Sequence, residues 1–296
     1  MRTRVYVFIE GHGKNAVVER ALRHGGQSEA ADRGPTAIGL WPDLQFWDAS
    51  PELDQLQASL TEHGVGWHFR KELVFSEREL REATLLHMRV ARSPKASGGA
   101  EAGTTYDLSS GCPRCGTGAT QTSALILRKA QTPTSGKIFV TAHETMLASE
   151  VAHLLNEQMV TGVELREAVA WRTGEPLGWH QLIPTDVMPP WSAKTTGGDT
   201  ESPCPRCNRD GHFDSPTEPL RITYRASDLG YVESLPDVTS TWERFGNSWI
   251  TPPSEHHIPL AFAHPLILVR PRVRALLREA QVTRLQYEPI TITSDS

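Results

Sequence analysis

The sequence predicts a mixed α+β protein, in which an N-terminal α/β-like module precedes a pair of related α+β modules. Three observations carry this. All four cysteines of the 296-residue chain lie in two identical CPRC tetrapeptides, one holding Cys112 and Cys115, the other Cys204 and Cys207. A helix-then-strand pattern follows each tetrapeptide. A small, polar, Gly-rich stretch, SPKASGGAEAGTT, separates the cysteine-free part from the rest. The expected organisation is residues 1–92 as the N-terminal module, 93–105 as a linker, 106–200 as the first CPRC module and 201–296 as the second.

Within the first part, RVYVFIE reads as a strand from its β-branched and aromatic content. PELDQLQASLTEHG reads as a helix ended by Gly64, followed by a strand through GWHFRKELVF. SEREL carries a capping box, Ser76 with Glu79, and opens a helix expected to run through LREATLLHMRV.

Beyond the linker, VAHLLNEQMVTGVELREAV (151–169) resembles VRALLREAQVTRLQYEPI (273–290). Val151, Leu154, Leu155, Glu157, Val160 and Thr161 recur as Val273, Leu276, Leu277, Glu279, Val282 and Thr283. The spacing predicts a helix with one apolar face and then a short strand. LILRK (125–129) and LRITY (220–224) are the corresponding strands after each tetrapeptide. The second copy carries an extra polar and aromatic stretch, DVTSTWERFGNSWITPPSEHH, read as an insertion.

A C-x-x-C turn aims two sulfurs at one point. Proline presets its backbone, and a Gly after the second Cys permits a positive φ. Gly116 suits that position, and Asn208 is the next most tolerant type. Two such turns close a shell of four thiolates around one tetrahedral zinc ion held by Cys112, Cys115, Cys204 and Cys207, with no open position for catalysis. Iron is the other metal that this ligand set accepts. The competing readings are two local disulfides, redox dithiols, or two separate sites completed by histidine, with His212 following the second pair. Neither pair stands in a thioredoxin-like strand–helix context. Because each half supplies two ligands, the ion is expected to staple the two modules together.

A formal net charge of −5 argues against a general nucleic-acid binder, whose footprint is basic. No apolar run approaches the roughly 20 residues of a membrane span. The run VYVFI is too short for a signal peptide and is better read as a strand. The expectation is a cytoplasmic protein with reduced thiols.

Other motifs lead nowhere catalytic. GHGKNA (11–16) lacks the spacing of a phosphate loop, because Phe8 and Asn15 occupy the places of its first Gly and its Ser/Thr. His143-Glu144 lacks the second His of a zincin, since Leu147 stands there. Glu255, His256 and His257, with His264 and His180, offer a second metal site or an acid–base pair for a hydrolase. A polar loop flanked by PPS is the preferred explanation, so these histidines are expected not to cluster. Most of Trp41, Phe46, Trp47, Trp242, Phe245 and Trp249 should be core. Trp242, Phe245 and Trp249 are the candidate exposed anchors for a protein partner.

The paired CPxC turns, the LL-x-E-x-x-VTG-x-x-L ending of 154–165, repeated as far as VT in 276–283, and the segment TWERFGNS resemble the double-CXXCG motif family, a paralogous bacterial group known from myxobacteria. The resemblance covers about residues 106–290. CPRCG at 112–116 matches the motif fully, while CPRCN at 204–208 departs at its last position. It implies a non-catalytic immunity or antitoxin-type protein that binds and neutralises a cognate toxin. The rival expectation is a nucleic-acid-associated zinc-ribbon factor, with Arg114 and Arg206 at the turn tips as phosphate contacts.

Overall fold

The computed structural model describes residues 1–9, 44–62, 64–90, 98–141, 144–215, 217–251 and 260–294. They form a mixed α+β protein of two units, Met1–Glu79 with Asp214–Leu220, and Leu80–Phe213 with Arg221–Ser296. GHGKNA, Trp41, His143, His256 and His257 lie outside the described residues.

In the first unit, alternation in RTRVYVFI buries Val5 and Val7 on one face of β1 (Arg2–Ile9). This strand pairs antiparallel with β2 (Leu44–Trp47) and with β3 (Trp67–Val74), giving the order β2-β1-β3. Helix α1 (Pro51–Glu62) begins at Ser50, whose hydroxyl accepts from the Leu53 N–H at 3.2 Å. Its Leu53, Leu56 and Leu60 pack on Val5, Val7 and Phe46. Gly64, with φ 62°, turns the chain after the helix, as expected. The capping box forms at α2 (Glu77–Glu82): the Glu79 N–H donates to Ser76 Oγ at 3.2 Å, and the Ser76 N–H donates to Glu79 Oε2 at 2.8 Å.

The expected continuation of that helix through LHMRV is corrected. Helix α2 stops at Glu82, and β4 (Leu86–Val90) follows as a strand. Leu86, His87 and Met88 are consecutive and all buried, the mark of a central strand covered on both faces rather than a one-sided helix. This strand belongs to the sheet of the second unit, between two strands from the far end of the chain. The stretch 93–105 is also more than a linker: Gly98 bridges to Leu127, Gly99–Ala102 form a 3-10 turn, and Ala102 is buried.

The second unit is a duplication. Its first module opens with the hairpin of β5 (Tyr106–Asp107) and β6 (Thr120–Gln121), which carries the first CPRC turn. Strands β7 (Ile126–Leu127), β8 (Ile138–Val140) and β9 (Thr145–Ala148), helix α3 (Ser149–Glu157), and strands β10 (Val163–Ala170) and β11 (Pro176–Pro184) follow. Their sheet order is β8-β9-β11-β10-β7. The second module repeats the hairpin with β12 (Gly198–Thr200) and β13 (His212–Asp214). It continues with β14 (Thr223–Arg225), the one-turn α4 (Ala226–Leu229), β15 (Val238–Phe245), β16 (His264–Val269), α5 (Pro271–Glu279), β17 (Leu285–Pro289) and β18 (Thr291–Thr293).

Its main sheet runs β15-β16-β4-β17, and β18 pairs parallel with β14. The registers of the two sheets agree pair by pair. Ile138 faces Leu147 as Val238 faces Val269, and Leu182 faces Thr145 as Met88 faces Ile267. Val163 faces Pro184 as Leu285 faces Val90, and Val169 meets Ile126 as Thr291 meets Thr223. Strands β17 and β18 are therefore one run equivalent to β10. They are divided at Ile290, where β10 has its own register shift between Glu167 and Val169. The paired strands LILRK and LRITY correspond as expected, shifted by two residues. Strand β4 fills in the second module the place that β11 fills in the first, so this module is completed from upstream of the linker. The stretch TWERF, read as part of an insertion, is the outer half of β15, the counterpart of β8.

Helices α3 and α5 end alike. Met159 and Gln281 take positive φ of 49° and 55°. Val160 donates back to the Leu155 carbonyl at 3.0 Å, as Val282 does to Leu277 at 2.9 Å, a Schellman closure built without glycine. Each helix is also capped by the other module. Lys137 donates to the Ala280 carbonyl at 2.9 Å, and Arg272 donates to the Gln158 carbonyl. Lys137 pairs with Glu150 at 3.1 Å, and at the equivalent place Asp237 pairs with Arg272 at 3.0 Å, with the charges exchanged.

Candidate metal centre

The two CPRC turns bring their sulfurs together. All four Sγ atoms lie within 4.8 Å of one another, and this is the one group of three or more potential metal ligands among the described residues. Cys112 Sγ lies 3.9 Å from Cys204 Sγ, and Cys115 Sγ lies 3.6 Å from Cys207 Sγ. Each sulfur is thus close to its own counterpart in the other turn, as a two-fold relation requires. All four cysteines are free thiols, which removes the local-disulfide reading. Arranged this way, they are able to hold a metal ion.

Local sequence produces this geometry as anticipated. Backbone bonds from Gly116 N to Cys112 O at 2.7 Å and from Asn208 N to Cys204 O at 2.9 Å close the turns. Both residues are left-handed, with φ of 79° and 53°. The departure from CPRCG to CPRCN has a packing reason. A Cβ at Gly116 would stand 2.3 Å from Ile250 Cγ2 and 2.8 Å from Phe262 Cε1, whereas Asn208 is exposed.

A polar scaffold, which the sequence did not signal, fixes the turns. Buried Asp210 accepts from the Cys204 N–H at 2.8 Å and the Ser248 N–H at 3.0 Å. Thr117 Oγ1 lies 3.2 Å from Cys115 Sγ and donates to Ser248 Oγ at 2.9 Å, which also accepts from the Ala263 N–H at 2.7 Å. The segment after β15 therefore buttresses both turns.

Burial and mutual contact split the acidities of the thiols. At Cys112, burial opposes the thiolate, but the N–H groups of Cys115 and Arg114 and the neighbouring sulfurs outweigh it and bring the thiol down to about 7. Burial raises Cys115, and it pushes Cys207 up to about 12 with help from the adjacent thiols. A metal ion held by these sulfurs would have to displace the thiol protons.

The other candidates do not join the site. His212 sits in β13 with its ring 5.2 Å from Trp191 and Nδ1 3.2 Å from Thr200 Oγ1, so the reading with two His-completed sites has no support. His180 lies on β11, 3.4 Å from Ser149 Oγ and 6.0 Å, ring to ring, from His153. His264 lies in the other sheet, near Phe245. Of the expected partner anchors, Phe245 is core at 6% exposure, packed among Trp191, His212 and His264. Trp242 is half-buried with the Arg209 guanidinium 5.3 Å from its ring, and Trp249 is half-buried on a bridge to Ala261. An aromatic run amid charges reads the same in a strand edge as in an exposed anchor, which is why buried Phe245 stood among the anchors. Phe46 is core, while Trp47 is 41% exposed beneath Arg2 and Arg4. No helix among the described residues is long and apolar enough to cross a membrane.

No family model matches the chain, and no curated protein matches it in sequence.

Proposed function

We propose that this chain is a non-catalytic, zinc-stabilised protein-binding protein of the immunity type, which neutralises a cognate bacterial toxin in the cytoplasm. The observation that carries the reading is the closed four-thiolate cluster, assembled two by two from duplicated modules. A zinc ion at about 2.3 Å from each sulfur sets tetrahedral edges of roughly 3.8 Å, and the close sulfur pairs stand at 3.9 and 3.6 Å. Four cysteines leave no coordination position for substrate, so such an ion shapes the protein rather than doing chemistry. Zinc, which has no redox chemistry, suits that role better than iron. The toxin-neutralising part rests on the resemblance of CPRCG, the VTG ending at 160–162 and TWERFGNS to the double-CXXCG motif family.

Native mass spectrometry of the intact chain is expected to find one zinc per chain. Iron, or no metal beside intact thiols, overturns the zinc assignment. Affinity purification from the native host is expected to recover one protein whose toxicity is suppressed by the bound chain. Recovery of no protein, together with a salt-dependent shift of DNA or RNA, would instead favour a nucleic-acid-associated factor.

A further inference from the structure

Between their cysteines the two turns expose a matched pair of dipeptides, Pro113-Arg114 and Pro205-Arg206. All four residues line one open depression of about 560 Å³, and no acidic side chain contributes to its wall. No described residue forms a hydrogen bond or ion pair with either guanidinium, whereas Arg166 and Arg270 donate to backbone carbonyls and Arg128 stacks over Trp171. The paired tips are fixed in place. Proline stiffens each turn, the bonds to the Cys112 and Cys204 carbonyls close it, and Gly116 is wedged against Ile250 and Phe262.

We infer that the twin arginine tips form a receptor for carboxylate side chains on an acidic segment of the protein partner. This rests on the protein-binding reading above. A guanidinium presents a planar fork that grips a carboxylate through two parallel bonds, and arginine is enriched among the residues that dominate interfaces. The backbone of each tip is set before binding, so only the arginine side chains lose freedom on it. A short acidic segment needs only these two cations. A nucleic acid lays a long run of phosphates across a chain whose net charge is −5, and most of that run would be repelled. One structural duty competes for the same residues: a metal held by four thiolates carries excess negative charge, which two nearby guanidinium groups partly balance.

The test uses the full-length, metal-loaded chain and a hexaglutamate peptide as probe, followed by calorimetry. Pyrophosphate and a short single-stranded oligonucleotide serve as parallel probes. The expected result is saturable hexaglutamate binding, weakened about tenfold or more by Arg114→Ala or Arg206→Ala and lost in the double variant, with metal retained. Arg→Lys at both positions is expected to recover only part of it, since the charge returns without the fork. Any of three results overturns the inference: no saturable hexaglutamate binding, undiminished binding by the double variant, or tighter binding of the phosphate probes. A double variant that sheds its metal to a chelator faster than wild type does would assign the arginines to charge balance instead, and also overturns it. A partner that binds the double variant as well as wild type removes this receptor and leaves the protein-binding reading standing. Hexaglutamate binding without any recoverable partner supports the receptor and counts against that reading.

Discussion

Gly116 and Asn208 occupy the same place in their turns and answer to different constraints. Both take a positive φ, but only at Gly116 does a neighbour fill the space where Cβ would go. Gly116→Ala is expected to destabilise by about 2–3 kcal/mol, combining the left-handed penalty with forced displacement of Ile250 and Phe262. Asn208→Ala carries only the first of these and should cost about 1 kcal/mol. Urea unfolding of metal-loaded protein compares the two, and equal losses would show that packing at Gly116 contributes nothing. Glu243 shows a different residue-scale tension. It is 2% exposed, its Oε1 accepts from the Trp191 N–H at 2.9 Å, and its Oε2 has no hydrogen-bond partner among the described residues. Burial raises its pKa above the ordinary 4.5, against the opposing influence of its hydrogen bonds and of Arg209. A carboxyl raised on folding adds stability that is full below its ordinary value and is lost as pH climbs through the folded one. Its contribution should therefore fall with rising pH above about 4.5, while His180 and His212, lowered by burial, push the other way up to about 6.5. Glu243→Gln, which keeps an acceptor for Trp191, should thus gain stability relative to wild type as pH rises. Denaturant midpoints between pH 5 and 8 measure it, and identical slopes in both proteins would refute the assignment.

At the scale of elements, the two Schellman closures supply the clearest test. Met159 and Gln281 are exposed, left-handed and not glycine, so each carries a backbone penalty that side-chain contacts do not offset. Met159→Gly and Gln281→Gly should each raise stability, by up to about 1 kcal/mol. A loss in thermal or urea midpoint for either would mean that the side chain contributes packing. The sequence reveals these elements because their determinants are local. Ser76 with Glu79, Gly64, and the apolar spacing of Val151 and Leu155 repeated in Val273 and Leu277 all act within a few residues. Strand β4 was invisible for the opposite reason. Nothing within LLHMRV specifies that its partners Ile267 and Tyr287 arrive at the far end of the chain. The sulfur cluster was legible because a C-x-x-C turn aims two sulfurs at one point, and two such turns offer four. Asp210, Thr117 and Ser248 were not, since an isolated polar residue carries no period and no motif.

For the whole molecule, the duplication decides how stability is distributed. Each module has its own helix-covered sheet, yet neither owns a complete set of four thiols, and the second borrows its central strand from upstream of the first. The helices are capped across the same boundary by Lys137 and Arg272, exposed or half-buried groups worth about 1 kcal/mol or less each. A structural zinc ion is a larger quantity, about 10–16 kcal/mol of apparent binding free energy in small finger peptides at neutral pH. Whole domains are stable by roughly 5–15 kcal/mol. An ion bound here would not need to supply all of that, because both sheets bury apolar side chains. Its loss should nonetheless be felt on both sides, since the four sulfurs are where the two turns meet. Cys204→Ser is accordingly expected to abolish stoichiometric metal and to speed amide exchange in both hairpins, Tyr106–Gln121 and Gly198–Asp214, and in the buttress around Ser248. Exchange in α1 and β1–β3, which hold no ligand, should be unchanged. Hydrogen exchange by mass spectrometry, run beside chelator-treated wild type, reads all these regions at once. Faster exchange confined to the second hairpin would mean that the cysteines act as two local turns and not as one shared centre.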